Sequence, residues 1–421
     1  MVARRLSDIT VPAVIMGLLA AMVGFGSSFT VILAGLRGVG ASEAEAAAGL
    51  AAATLAMGLA GIVLSQWTRL PMAVAWTTPG GALLAVGSVP PGGFAEAVGA
   101  FLVAGLLLTA TALLRPLARL VAAIPLSIAS AMLAGILLPL TLAPVEAVAS
   151  DWRLGLPIVL AWLVGGQVHR LLAVPAALVA FVGVTVLGTD LPSGTGSRLV
   201  GALGLDLVPV APAFTLGSSI GIALPLYVVT MASQNIPGLT VLRAHGVDPP
   251  VGRGFGVTGA FSLLFAPFGS PAVNLAAITA AMCAGPEAGE DPARRYWAAT
   301  ISGLAYVALS LVATSAALFV SIAPAILIEA VAGLALIATF SGAIVAAFAN
   351  ERTREAAAIA FLVSASGLSI AGISGAFWGL LAGVAVHGLR VGVARQRDPR
   401  LTRSAPSATE PVTPGRDGTS R

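Results

Sequence analysis

The sequence predicts an all-α polytopic membrane protein with 14 transmembrane segments arranged as a 7+7 inverted repeat, in which two segments are half-helices preceded by short extended stretches. Three observations predict it. The composition is too apolar for water, the apolar runs have spanning length, and two short proline-bearing runs occupy corresponding places in the two halves.

Of the 421 residues, 57% are hydrophobic and only 10% are charged, with a mean hydropathy of +0.97. A water-soluble domain carries about a quarter of charged residues, so this chain cannot solvate itself in water. A straight helix needs about 20 residues to cross a hydrocarbon layer roughly 30 Å thick, which leaves room for roughly 12 to 14 crossings between residues 11 and 392. The apolar runs fall at 11–36, 43–65, 72–87, 95–114, 117–141, 153–168, 171–189, 213–234, 254–268, 271–284, 296–320, 323–346, 355–372 and 374–392. The first run is longer than the core of a cleaved signal peptide, so no cleavable signal is expected.

The formal charge of +4 comes with arginine as the sole cationic residue type besides histidine. Such a basic balance invites a nucleic-acid reading, but the arginines are distributed by topology. With alternating spans from a cytoplasmic N-terminus, most of them fall inside, from Arg4 and Arg5 to the tail beyond Arg390, and only Arg37, Arg153 and Arg198 fall outside. That is the positive-inside bias; it puts both termini in the cytoplasm and argues against nucleic acid as a partner. The lone Cys283 excludes an internal disulfide and a cysteine-based metal cluster.

Runs 72–87 and 271–284 are too short to cross as straight helices. Pro79 in Trp76-Thr77-Thr78-Pro79-Gly80-Gly81 and Pro271 in Gly269-Ser270-Pro271-Ala272-Val273-Asn274 sit near their starts. Proline suits the first turn of a helix and disfavours helix just before it, so each run reads as an extended stretch followed by a half-helix. Pro79-Gly-Gly-Ala-Leu-Leu-Ala resembles Pro271-Ala-Val-Asn-Leu-Ala-Ala at an offset of 192, and Pro125 with Ala134-Gly135 resembles Pro324 with Ala332-Gly333 at an offset near 199. A repeat of seven spans enters the bilayer from the opposite side in its second copy. The domains expected are a cytoplasmic N-terminus (1–10), spans 1–5 (11–141), spans 6–7 (153–189), an external linker (190–212), spans 8–11 (213–320), spans 12–14 (323–392) and a disordered cytoplasmic tail (393–421).

Interrupted helices at membrane depth leave backbone groups unpaired, which is tolerated only where they line a cavity or are buried in protein. The first turn of each half-helix offers free amides and the positive end of a helix dipole, which suits a carboxylate without any basic side chain. Thr77, Thr78, Gly80 and Gly81 in the first copy and Ser270, Ala272 and Asn274 in the second are therefore candidate binding residues. Two blander readings compete: the prolines kink structural helices, and Asn274 is interhelical glue. Ser233, Gln234 and Asn235 stand at the inner end of the eighth run, before Pro237 and Gly238. They are costly there unless they face protein, water or ligand, although a capped helix C-terminus also accounts for Pro237 and Gly238. Phe25-Gly26-Ser27-Ser28 and Leu216-Gly217-Ser218-Ser219 form a second matched pair, with Phe25 able to stack on an aromatic ring. Glu329 lies in the apolar stretch 322–340 and is the candidate for proton coupling. The three histidines sit at span ends or in loops, and no phosphate loop, metal-ligand spacing or nucleophile-base grouping appears. Neither an enzyme, a cofactor nor a metal is expected.

Three stretches resemble the benzoate/proton symporter family, BenE. They are Met231-Ala-Ser-Gln-Asn-Ile-Pro-Gly, Ala266-Pro-Phe-Gly-Ser-Pro-Ala-Val-Asn-Leu-Ala-Ala-Ile-Thr-Ala-Ala, and Cys283-Ala-Gly-Pro-Glu-Ala with Asp291-Pro-Ala-Arg-Arg-Tyr-Trp. The resemblance extends over residues 8–392. It implies a fold similar to the uracil/proton symporters, with a core domain of spans 1–4 and 8–11 and a gate domain of spans 5–7 and 12–14. It also implies import of benzoate or a similar aromatic carboxylate with a proton across a bacterial inner membrane. We expect substrate and proton between the half-helix ends, Gln234 on the carboxylate and Phe25 or Tyr227 on the ring, with a homodimer as a candidate assembly. Nucleobase carriers of this fold bear glutamates on spans 8 and 10, where this chain offers Gln234, Asn235 and Asn274. A nucleobase or inorganic-anion carrier of the same fold, and an anion channel, are the alternatives.

Overall fold

The computed structural model describes residues 9–114, 124–189, 191–370 and 373–397. The expected N-terminal segment up to residue 8, the start of the fifth run at 117–123 and the tail from 398 lie outside the described residues.

Helices account for most of the described chain. The first run is α1 (Val11–Gly26) and α2 (Phe29–Gly38), followed by α3 (Glu43–Thr68). Thr10 caps α1 by accepting the Ala13 amide at 3.3 Å, and Ser42 with Glu45 forms a reciprocal capping box on α3. The expected unbroken first span is interrupted at Ser27-Ser28, where both hydroxyls turn back to donate to the Gly24 carbonyl, at 3.4 and 3.2 Å. A serine that bonds the preceding turn competes with the helix ladder, which bends or breaks it.

The chain then forms β1 (Val74–Trp76), the half-helix α4 (Thr78–Ala85), α5 (Phe94–Leu113), α6 (Leu126–Ser150), α7 (Trp152–Val168) and α8 (Ala173–Gly188). The segment expected as a plain linker contains α9 (Thr195–Gly201) and is tied down: the Gly204 amide donates to Leu311 at 2.8 Å and the Val210 amide to Pro267 at 2.7 Å. Beyond it runs α10 (Leu216–Ala244). The expected end of this span near 234 is a correction. The helix passes Ser233–Asn235 in a π-turn, Met231–Asn235, and continues, because Pro237 falls at the start of the next α-helical stretch, where a missing N–H does least harm. A second π-turn spans Ser219–Ala223. Leu216–Ser219 opens α10 instead of lying mid-span like Phe25–Ser28, so those two sequence matches are not positional equivalents.

After α11 (Val251–Phe265) come β2 (Val273–Leu275), the half-helix α12 (Ile278–Ala284), α13 (Tyr296–Ile322) and α14 (Ala325–Phe348). The expected spans 355–372 and 374–392 are α15 (Arg354–Ala365), a ribbon of β3 (Ser369–Ile370) and β4 (Ile373–Ser374), and α16 (Gly375–Arg397). Eight helical segments among the described residues are long and apolar enough to cross a membrane, and α7 and α8 are shorter apolar helices. Their outward faces keep large apolar side chains exposed, such as Leu187 at 89% and Leu113 at 78%, which suits lipid contact.

The second half-helix starts later than expected. Pro271 precedes β2 and α12 begins only at Ile278, so Pro271 is not a first-turn proline and the 192 offset is wrong. Val273 follows Val74 by 199 residues, the offset that also relates Pro125 to Pro324.

The extensive helix pairings fall into two groups. In one, α3 packs on α13, α5 on α11, α1 on α13 and α2 on α4; in the other, α6 packs on α14 and α15, α7 on α8, and α15 on α16. Glycines permit the closest approaches. A Cβ on Gly303 would stand 2.7 Å from the Gly58 carbonyl oxygen, and one on Gly35 would stand 2.5 Å from that of Gly81.

Candidate functional site

The two extended stretches pair with each other. β1 and β2 run antiparallel with Val74 opposite Leu275, Ala75 opposite Asn274 and Trp76 opposite Val273. The Thr77 amide donates to the Ala272 carbonyl at 3.1 Å and the Ala276 amide to Ala73 at 3.0 Å. Two strands this short have no stability of their own, so the surrounding helices must hold them.

They do so with side chains. On the free edge of β2, Ser262 Oγ accepts the Val273 amide at 2.9 Å and Asn235 Oδ1 accepts the Leu275 amide at 2.9 Å. Asn235 Nδ2 donates to Met231 Sδ at 3.3 Å. Trp76 Nε1 donates to Ser28 Oγ at 2.8 Å, which ties β1 to the break between α1 and α2. Phe25 closes that corner, 5.6 Å from Trp76 and stacked on Phe29 at 5.3 Å.

Thr77 is the N-cap of α4. Its hydroxyl oxygen accepts the Gly80 amide at 3.1 Å and the Thr230 hydroxyl at 3.0 Å. The Gly80 amide, expected to be free for a ligand, is thus already taken, and the Gly81 amide bonds the Thr77 carbonyl at 2.8 Å. A Cβ on Gly80 would reach within 2.6 Å of Leu226, so glycine there lets α10 lie against the half-helix. Thr78 is partly exposed. Ser270 Oγ donates to the Pro271 carbonyl at 2.9 Å, and the Ala272 carbonyl is used by Thr77, so neither presents a free polar group through those atoms. Tyr227 is buried with its hydroxyl 2.5 Å from Thr111 Oγ1.

Asn274 is different. It is fully buried in the middle of β2, and neither Nδ2 nor Oδ1 has a hydrogen-bond partner. Buried polar groups are nearly always paired, because an unpaired one costs about 1–3 kcal/mol. Thr279 Oγ1, in the first turn of α12, is a second buried and unpaired group. Ala277, the N-cap of α12, offers no side-chain bond. Gln234 is partly exposed, and its side chain has no hydrogen-bond partner among the described residues.

The sequence-based candidates thus divide. Thr77, Gly80, Ala272 and Asn274 are brought together on or beside the ribbon, and Phe25 touches it through Trp76. Glu329 is not among them: it is exposed, five residues into α14, with no ion-pair or hydrogen-bond partner among the described residues. Thr230 and Ser262 went unnoticed in the sequence, and Trp76, Ser28 and Thr279 stood in quoted motifs without being singled out as site residues. Asn235 stood in the polar triplet, but its role as the clamp on β2 depends on a partner 40 residues away.

A cavity of about 130 Å³ opens at the other end of α4, lined by Gly87, Ser88, Gly135, Pro139, Ser364 and Gly375 among others. It lies between α4 of one packing group and α6, α15 and α16 of the other.

Residues 7–389 match the family model BenE, benzoate membrane transport protein. The chain is 38% identical over 381 residues to "Inner membrane protein YdcO" of Escherichia coli (strain K12), covering 90% of this chain and 96% of that one. It is 28% identical over 383 residues to "Benzoate membrane transport protein" of Acinetobacter baylyi, covering 90% and 95%. Two solved structures share the fold. SLC26A9 matches with a TM-score of 0.59 at 13% identity, over 90% of this chain, which spans 65% of that one. The transmembrane domain of the cyanobacterial bicarbonate transporter BicA matches with a TM-score of 0.51 at 17% identity, covering 89% and 96%.

Proposed function

Because this chain belongs to the BenE family of membrane transport proteins, we propose that it is a secondary transporter that imports benzoate, or a similar aromatic carboxylate, together with a proton. The observation that carries the reading is the ribbon: two broken segments, from the two halves of the chain, meet at Ala75 and Asn274 and leave one amide buried without a partner. Irregular backbone inside a membrane protein marks the transport site of many carriers.

The 14-span inverted repeat is the economical account of the shared 199-residue offset. An odd number of spans per copy inverts the second one, which brings the extended stretches together antiparallel, as β1 and β2 are. The two packing groups read as a core that carries the ribbon and a gate against which it moves, with the Gly87–Ser364 cavity on their border. The arginine distribution supports cytoplasmic termini. Phe25, at the corner beside Trp76, is the candidate contact for a ring, and Gln234 offers a side chain without a partner next to the Asn235 clamp.

Importing a lone anion against an inside-negative potential costs about 2.3 kcal/mol per 100 mV, and one accompanying proton cancels that cost. Uptake of radiolabelled benzoate into proteoliposomes should therefore rise when the outside is made acidic relative to the inside; no response removes the symport reading. The likeness to the bicarbonate transporter BicA favours one alternative cargo, an inorganic anion. Competition of benzoate uptake by bicarbonate, sulfate and uracil separates these readings, since only aromatic acids should compete.

A further inference from the structure

Resting on the reading that this site takes an aromatic carboxylic acid, we infer that the coupled proton crosses on the substrate itself: Asn274 recognises the protonated COOH group, and the species carried is the neutral acid. The observation is the state of one side chain. Both Nδ2 and Oδ1 of Asn274 are buried and unpaired, so the amide presents a donor and an acceptor side by side. A COOH group presents the complementary set, a carbonyl acceptor and an O–H donor, and the two close a cyclic pair with both hydrogen bonds made. An ionised carboxylate only accepts. It would satisfy Nδ2 but set a negative oxygen against Oδ1, which would stay without a donor in a dry site.

Among the described residues packed around β2, no charged side chain stands free to reverse this preference. β2 packs chiefly against β1, α3, α11 and the π-turn of α10. β1 and that π-turn contain no titratable side chain. On α11, Arg253 is exposed and lies over the Trp67 ring at 5.0 Å. On α3, Glu43 and Glu45 occupy the first turn, at the far end from the Gly61–Val74 contact, and Arg69 beyond its last turn donates to the Tyr296 hydroxyl at 2.6 Å. The neighbouring α12 adds one titratable group, the buried thiol of Cys283, and the unpaired Thr279 hydroxyl, which can donate or accept and so carries no charge to offset an anion. A carboxylate at Asn274 would thus be desolvated without a counter-ion, whereas the acid brings no charge. Approach is available from one face: Ala75, paired across from Asn274 and therefore on the same side of the ribbon, is only partly buried, while Val74, Trp76, Val273 and Leu275 on the opposite side are buried.

The balance is simple. The carboxylate takes its proton from water on the acidic side, the O–H bond stays intact during the crossing, and ionisation on the other side releases one proton with one carboxylate.

The test is competition against radiolabelled benzoate on the full-length protein in lipid nanodiscs between pH 6 and 8. A carboxylic acid ionises near pH 4, so the acid fraction, and with it the apparent affinity for total benzoate, should fall about tenfold per pH unit. Benzamide, which keeps a donor and an acceptor at every pH, should compete equally well throughout, and the permanent anion benzenesulfonate should not compete. Asn274→Leu, an isosteric change that removes both unpaired atoms, should lose benzoate and benzamide binding alike. A benzoate affinity that stays flat with pH, or competition by benzenesulfonate in place of benzamide, would overturn this inference alone. No benzoate binding at any pH would overturn the parent reading with it.

Discussion

Asn235 Oδ1 holds the backbone amide of Leu275 at 2.9 Å, so a side chain in the middle of α10 fixes the edge of a strand 40 residues later. The same asparagine donates to Met231, which keeps its amide in one orientation. Through this one bond the geometry of α10 and that of the ribbon are coupled.

Replacing Asn235 by Ala leaves the buried Leu275 amide without an acceptor, at about 1–3 kcal/mol. Thermal unfolding of the purified variant should come several degrees lower, and benzoate affinity should fall. A variant with unchanged melting and unchanged affinity would remove Asn235 from the clamp.

Thr77→Val keeps the shape of the cap but loses its acceptor. Gly80 then lacks its partner and Thr230 its acceptor, which should cost about 0.5–2 kcal/mol from the cap alone. Thr77→Ser preserves both bonds and should behave like the parent chain. Comparing the two by thermal shift separates loss of the hydroxyl from loss of the methyl group.

At the α3–α13 contact, Gly303→Val places a branched side chain where even a Cβ would meet the Gly58 carbonyl at 2.7 Å. Helices in lipid associate through such close approaches, so the pair should separate and the protein should elute aggregated in size-exclusion chromatography. Substitution at Gly183, where a Cβ would meet nothing within 4 Å, should leave elution unchanged.

Glu329→Gln tests the carboxylate that the sequence singled out. With Glu329 exposed and unpaired at the start of α14, and the proton carried on the substrate, gradient-driven benzoate uptake should persist in this variant. Abolition of the response to the pH gradient would return the proton to Glu329.

Pro79 made the first half-helix legible, because a fixed φ and a missing N–H both favour the first turn. Pro271 misled for the same reason. Proline restricts its neighbours to extended backbone but does not say how long the extension lasts, and β2 continues to Leu275 because β1 pairs with it. That partner is about 200 residues away, beyond the reach of local pattern. The membrane class followed from composition alone, whereas the π-turns of α10 left no periodic signal. Within the site, Asn274 was visible as a polar residue in an apolar run; that it is unpaired could emerge only from the packing of α3, α11 and α10 around it.

The ribbon is the proposed seat of proton-coupled transport, and Asn274 is the residue on which that role turns. The direct measurement is uptake of radiolabelled benzoate by proteoliposomes holding equal densities of folded parent protein or Asn274→Leu, under an imposed pH gradient, acidic outside. The parent protein should speed the initial rate of benzoate entry above that of protein-free vesicles under the same gradient, and Asn274→Leu should not. Equal initial rates of entry with the two proteins would contradict the neutral-acid reading of Asn274.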